Sequence, residues 1–112
     1  MTTENYEVIF AIVNAGYAED AMHVAREQGA RGGTIINGRG VAREKEAAFF
    51  GITIHAEKEL LMLVVEKDIR DKVLHALYKE MGMQQKAQGI VFSLPVSDVA
   101  GMATALEQEN NP

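Results

Sequence analysis

The sequence predicts an α+β protein of ferredoxin-like βαββαβ order, with two helices on one face of a four-stranded antiparallel sheet. Four short apolar segments have the length and residue types of strands, and two amphipathic segments have helical spacing. They alternate as two strand-helix-strand units. The 112 residues leave room for one domain, which we assign to residues 1–112.

The first unit begins with the apolar, β-branched run Val8 to Val13, which stops at Asn14-Ala15-Gly16 and is predicted to be a strand. A helix follows between about Ala18 and Gln28, and Gly29 supplies its C-terminal stop. Gly33 to Asn37 is predicted to be the second strand. The apolar stripe of the helix consists of Ala21, Met22, Val24 and Ala25.

Residues 38–53 are predicted to form a long, solvent-facing loop. Charged residues at its start precede an apolar patch that contains Phe49 and Phe50. Two interpretations of this aromatic pair stay open. The rings could anchor a partner protein, or they could pack back onto their own subunit.

The second unit repeats the first. Leu60 to Val65 is predicted to be an apolar strand, and Asp68 is expected to cap a helix that Gly82 ends. A polar loop over 85–89 leads into a fourth strand, Ile90 to Leu94, which stops before Pro95. One face of the second helix consists of Ile69, Val73, Leu77 and Met81.

The last part of the chain carries a weaker pattern. Residues 99–106 could add a short helix, and residues 107–112 are expected to be a frayed tail.

The strands lack the alternation of apolar and polar residues that an antiparallel sheet with one wet face normally shows. Val8 to Val13 and Leu60 to Val65 are apolar at every position. Two short helices can cover only one face of the sheet, and a large exposed apolar patch is unusual for a monomer. We therefore expect a homo-oligomer in which sheets of neighbouring subunits pack together.

Composition limits the class of partner. The formal net charge of −5 argues against nonspecific binding of nucleic acid, which needs clustered Lys and Arg. No apolar run approaches the roughly 18 residues of a membrane span, and the start Met1-Thr2-Thr3-Glu4 lacks the pattern of a signal peptide. The chain has no cysteine, which fits a reducing compartment. We expect a cytoplasmic protein.

A glycine-dense run from Gly29 to Gly40 contains half of the ten glycines of the chain. Glycine clusters mark places where the backbone takes a positive φ or approaches a neighbour closely. Because glycines flank both ends of a short strand, ligand-facing loops could lie at each end. An ordinary helix stop followed by a hairpin loop explains the same run, and neither the dinucleotide-binding fingerprint nor the P-loop pattern is present.

His55, Glu57 and Glu59 are candidate metal ligands, because alternate residues of an extended segment share a face. A solvated strand explains the same pattern. No nucleophile, base and orienting group stand in a recognisable catalytic spacing.

Several motifs resemble the PII signal-transduction family, also called nitrogen regulatory P-II proteins. Gly29 to Ile35 resembles the family's Gly-x-x-Gly-x-Thr-Val turn, and Asn37 to Lys45 resembles the base of its long T-loop. Leu63 to Ile69 is similar to the third strand and the start of the second helix. Gly89 to Phe92 lies where the family has its B-loop and fourth strand.

This resemblance implies a trimeric, non-enzymatic regulator that binds an adenine nucleotide (ATP, ADP or AMP) in a cleft between subunits. Its T-loop would act on a membrane transporter or an enzyme, most often in nitrogen regulation. The implied ligand-binding residues are Gly32, Gly33, Thr34, Gly38, Arg39, Gly40, Val64, Lys86 and Gly89. The implied partner-binding residues of the loop are Arg43, Lys45, Phe49 and Phe50.

The chain departs from the family where basic residues hold phosphates, since it has Ile90, Gly101 and Ala103 at those positions. Charge-assisted hydrogen bonds from such cations are worth about 1.5–3 kcal/mol each. The basic residues that remain near the expected cleft are Arg39, Arg43 and Lys86.

Two alternatives stay open. The chain also resembles the trimeric divalent-cation tolerance proteins, which share this architecture and would use His55, Glu57 and Glu59. The second alternative is an enzyme on a ferredoxin-like scaffold, because a fold alone does not fix a function.

Overall fold

The computed structural model describes residues 5–41, 48–49, 52–53 and 56–101 of the chain. Its elements, in chain order, are β1 (Tyr6–Asn14), α1 (Ala18–Glu27), β2 (Thr34–Gly40), β3 (Ala48–Phe49), β4 (Ile52–Thr53), β5 (Ala56–Glu66), α2 (Arg70–Met81) and β6 (Ile90–Pro95). A 3₁₀ turn, Lys67–Ile69, leads into α2.

The four long strands form one sheet in the order β2-β5-β1-β6, and each neighbouring pair is antiparallel. This confirms the predicted ferredoxin-like fold. The short strands β3 and β4 pair with each other inside the predicted long loop, which the sequence did not indicate.

Both helices lie on one face of this sheet. On the central strands, Ile9 of β1 and Leu63 of β5 face them and are fully buried, and they share one cluster with Val73 and Leu77 of α2 and Ala21 of α1. The predicted helix stripes are confirmed, although Val24 and Ile69 lie at the edge of the core and are only partly buried.

The end of α1 follows the predicted glycine stop. Gly29 has φ +107°, which L-residues with a Cβ rarely adopt. The Gly29 N–H donates to the carbonyl of Arg26 at 3.0 Å, and the Ala30 N–H donates to that of Ala25 at 3.1 Å. These two bonds form a Schellman motif that satisfies carbonyls at the helix end.

Several predicted boundaries were wrong. The strand predicted over Leu60 to Val65 runs from Ala56 to Glu66. The second strand runs from Thr34 through Gly40 instead of ending at Asn37, because β5 is long enough to pair with it down to Ala56. Asp68 does not cap α2. It lies inside the 3₁₀ turn, and Ile69 takes the N-cap position without a side-chain hydrogen bond.

The sheet face opposite the helices, here called the open face, is apolar and uncovered in the single chain. Cross-strand neighbours on this face include Phe10 and Phe92, whose rings stack with centroids 5.3 Å apart. The side chains of Ile36, Phe92 and Leu94 are 45%, 38% and 47% exposed. The structure thus has the uncovered apolar face that the strand pattern predicts.

Candidate functional site

The glycines of the run from Gly29 to Gly40 differ in what the fold requires of them. A Cβ at Gly33 would lie 2.4 Å from Cδ2 of Leu63 and 2.9 Å from the carbonyl oxygen of Met62, so the packing of β5 excludes any larger residue. At Gly40, a Cβ would lie 3.1 Å from Cε of Lys58. Gly33 therefore has a structural reason to be glycine, whereas the close contact at Gly40 is with a flexible lysine side chain.

Gly32 and Gly38 have no such reason in the single chain. A Cβ at either position would meet nothing within 4 Å, and neither residue has a positive φ. Glycine inside or beside a strand costs conformational entropy and often marks the close approach of a ligand or another backbone. These two positions are the part of the run that fits a binding surface best.

The candidate ligand-binding residues fall into two groups at opposite ends of β2. Gly32, Gly33 and Thr34 stand at its beginning, where Thr34 pairs with Met62, two residues before Val64. We call this group the turn end. At about 3.3 Å per residue, Thr34 lies about 20 Å from Gly40.

The second group, called the stem end, lies where the long loop leaves the sheet. Gly38 and Gly40 of β2 pair with Lys58 and Ala56 of β5, and Arg39 pairs with Glu57. Arg39 is exposed, and it lies on the same side of the sheet as the helices.

The 82–89 loop, which joins α2 to β6, lies near the stem end, across the width of β5 and β1. It carries Lys86 and Gly89, and the Asn14 N–H at the end of β1 donates to the Ala87 carbonyl at 2.9 Å. Lys86 is exposed. Its backbone carbonyl accepts a hydrogen bond from Nδ2 of Asn14 at 3.2 Å.

Gly89 is held by the fold. Its N–H donates to the Met81 carbonyl at 2.6 Å, and a Cβ on Gly89 would lie 2.4 Å from that oxygen. Gly82 and Gly89 also form a parallel bridge. Since its N–H already has an acceptor, Gly89 serves to close the 82–89 loop and does not offer a free donor to an anion.

The sequence did not lead us to predict a role for Lys58, which occupies a central place at the stem end. It extends the row Leu60, Met62 and Val64 on the open face, and its Nζ donates to Oδ1 of Asn14 at 2.7 Å. The available signal was the spacing: Lys58 alternates along the strand with three apolar residues, which places it on the same face as they are. In the sheet register Lys58 pairs with Gly38 on one side and with Asn14 on the other.

At the turn end, an ion pair and a small cavity lie beside the glycines. Nη2 of Arg31 lies 3.3 Å from Oε1 of Glu66. A cavity of about 130 Å³ is lined by these two residues together with Tyr6, Gly29 and Val64, among others.

Glu59, one of the three candidate metal ligands, has a different function. Its Oε1 accepts hydrogen bonds from the N–H groups of Gly16 at 2.9 Å and Ala18 at 3.0 Å, so it caps the start of α1. Glu57 is exposed, and His55 lies outside the described residues. Within the described ranges, no three His, Cys, Asp or Glu side chains come together as metal ligands.

Some candidate residues cannot be placed. Arg43, Lys45, Phe50 and Ala103 lie outside the described residues, as do the end of the predicted 99–106 helix and the 107–112 tail, and for Phe49 only the strand backbone is described. Two of the positions that depart from the phosphate-binding pattern are described. Ile90 is 56% exposed at the start of β6, and Gly101 has φ +93°.

The fold and these two groups of residues define a ferredoxin-like protein whose sheet and edge-strand glycines are exposed for contact with other molecules. Residues 6–105 match the family model described as Nitrogen regulatory protein P-II. The chain therefore belongs to the PII family and is a regulatory signalling protein. Proteins of this family are trimers that act on target proteins and are regulators, not enzymes.

A solved structure supports the same assignment. The chain is similar to PII of Arabidopsis thaliana bound to citrate, with 25% sequence identity and a TM-score of 0.60. The match covers 86% of this chain and 79% of the plant chain. No curated protein sequence matches significantly. Neither helix in the described part of the chain is long and apolar enough to cross a membrane.

Proposed function

We propose that this chain is a cytoplasmic, trimeric sensor of an adenine nucleotide. ATP, ADP or AMP would bind between the turn end of one subunit and the stem end of the next. Binding would change the long loop between β2 and β5, and this loop would regulate a membrane transporter or an enzyme, with nitrogen metabolism as the expected context.

The observation that carries this proposal is the separation of the two groups of residues. The turn end and the stem end are about 20 Å apart along β2, so they can meet at one compact ligand only if two copies of the chain adjoin. The uncovered apolar open face supplies a reason for copies to associate, since burial of apolar area drives assembly.

The charges near the stem end suit an anion of modest charge. Lys58, Arg39 and Lys86 are the described cations there, and Ile90 stands where a further cation would help to hold a polyphosphate. We therefore expect AMP or ADP to bind at least as well as ATP.

Thermal unfolding with added ligand tests the sensing function. A ligand that binds the native state at 100 times its Kd stabilises it by about 2.7 kcal/mol, which raises the melting temperature. We expect ATP, ADP or AMP at millimolar concentration to give this rise. If none of the three nucleotides changes the melting curve, the chain does not bind an adenine nucleotide and the nucleotide-sensing function is ruled out.

Citrate forms a separate arm of the same experiment. The similar Arabidopsis protein was crystallised with it, and the Lys58 ammonium could hold a carboxylate. If citrate alone raises the melting temperature, the effector is an organic acid, and the proposal that the chain is a regulator stands.

The loop is proposed to contact the regulated protein through Arg43, Lys45, Phe49 and Phe50. A variant with Phe49→Ser and Phe50→Ser should keep the ligand-dependent rise in melting temperature but lose association with the regulated transporter or enzyme. If association survives, the aromatic pair is not the anchor.

The metal-tolerance alternative gains no support from the described geometry. Glu59 would have to release the start of α1 before it could bind a cation. Equilibrium dialysis against copper and zinc should detect no stoichiometric uptake. One ion per chain would favour the metal-binding protein over the nucleotide sensor.

A further inference from the structure

Asn14 hydrogen-bonds to two parts of the proposed site, and no hydrogen bond among the described residues joins these two parts directly. Lys58, on the stem of the long loop, and the 82–89 loop both bind the side-chain amide of Asn14, from opposite sides. We propose that Asn14 is a positioning residue that couples the stem of the long loop to the 82–89 loop. This inference rests on the proposed function, in which the ligand binds at the stem end with Lys86 of the 82–89 loop among the nearby cations.

The amide group of Asn14 is fully used in this arrangement. Oδ1 accepts from the Lys58 ammonium at 2.7 Å, and Nδ2 donates to the Lys86 carbonyl at 3.2 Å and reaches Oε1 of Gln88 at 3.5 Å. An amide carries an acceptor and two donors in one fixed plane. A rotation that follows Lys58 therefore moves the donors away from the 82–89 loop.

The backbone of Asn14 is fixed independently of its side chain. Its N–H donates to the Ala87 carbonyl at 2.9 Å, and its carbonyl accepts from the Tyr17 N–H at 3.2 Å. Because the backbone has these anchors at the end of β1, the amide plane is the part that can respond to Lys58.

The 82–89 loop is strained at the point of contact. Gln88 has φ +47°, and it is the only residue other than glycine with a positive φ in the described part of the chain. Residues with a Cβ keep such a conformation when their surroundings hold them in it. Asn14 contacts Gln88 directly, so loss of this contact should release the strained loop.

The coupling has a defined consequence for the sensor. An anion that draws the Lys58 ammonium away from Asn14 would loosen the 82–89 loop, and by linkage a ligand on that loop would change the position of Lys58. Lys58 is the third residue of β5, the strand that follows the long loop in sequence, so the signal has a physical route to the regulatory arm.

Amide hydrogen exchange on the ligand-free, full-length protein tests the coupling. The probes are the amides of Asn14, Gln88 and Gly89, which donate to carbonyls in or beside the 82–89 loop. In N14A their exchange should be about fivefold faster, the effect of losing one typical hydrogen bond. In K58A the same amides should also exchange faster, although the described hydrogen bond of the Lys58 side chain goes to Asn14 and not to that loop.

The double variant N14A/K58A should exchange no faster than N14A, because Lys58 acts through the amide. K67A, which removes an exposed lysine from the 3₁₀ turn, is the matched control and should leave the three amides unchanged. Unchanged exchange in K58A, or additive effects in the double variant, would overturn the coupling.

N14D provides a second variant in case N14A does not fold. Aspartate keeps an acceptor for Lys58 but has no Nδ2 donor, so the three amides should exchange faster and K58A should add nothing. Protection of the 82–89 loop as in the unmodified chain would overturn the proposal. Since no ligand is present, this result is independent of the thermal-unfolding test of the proposed function.

Discussion

Phe10 on β1 and Phe92 on β6 stack with ring centroids 5.3 Å apart on the sheet face that the helices leave uncovered. Stacked aromatic rings of this kind contribute strongly to interfaces when they are buried. In the single chain Phe92 remains 38% exposed. We therefore propose that a second copy of the chain covers this pair.

The substitution Phe92→Glu should convert the assembly to monomers. A charge on the open face would have to be buried without a partner if the sheets packed together. The molar mass measured by light scattering should fall from three times the chain mass of 12.3 kDa to the mass of one chain. Tyr78→Glu is the matched control, because Tyr78 is an aromatic residue that is 67% exposed on α2. A trimeric mass for Phe92→Glu would show that another surface joins the subunits.

The substitution Gly33→Ala should destabilise the protein by about 1–3 kcal/mol, because its Cβ would overlap Leu63 and the backbone of Met62. Gly32→Ala is the control next to it, since a Cβ there meets nothing within 4 Å. Urea unfolding gives both values. Equal loss of stability in the two variants would contradict the distinction between structural and free glycines.

The substitution Glu59→Ala should lower the free energy of unfolding by about 1 kcal/mol, because α1 loses the acceptor for the N–H groups of Gly16 and Ala18. Glu57→Ala, at an exposed neighbouring position, should change stability by less than about 0.5 kcal/mol. The midpoints of denaturant unfolding compare the two. If both changes are equal, Glu59 does not act as the cap.

The fold was predictable because its main signals are local. The apolar runs at Val8 to Val13 and Leu60 to Val65, and the helix stripe that contains Val73 and Leu77, identify the strands and α2. Their unbroken apolar character also predicted the uncovered sheet face. The family motifs around the glycine run added the class of protein.

The errors arose where long-range pairing overrides local preference. The sequence predicted that Gly38 and Gly40 are loop residues. Both belong to β2, because β5 pairs with them. Glu59 resembled a metal ligand, because a sequence does not show that the start of α1 folds back onto β5. The contact of Lys58 with Asn14 spans 44 positions, so only the strand register reveals it.

The most direct test of the central claim, a site shared between subunits, is a mixing experiment with two variants. Gly32→Trp blocks the turn end, and R39E/K86E reverses two exposed cations at the stem end. After light scattering has shown that each variant is a trimer, calorimetry with AMP should find no binding to either one alone.

Trimers refolded from an equal mixture of the two variants should recover about a quarter of the binding sites, because that fraction of subunit boundaries joins two intact ends in a cyclic assembly. Absence of recovery in the mixture, or full binding by either variant alone, would contradict a nucleotide site formed between subunits.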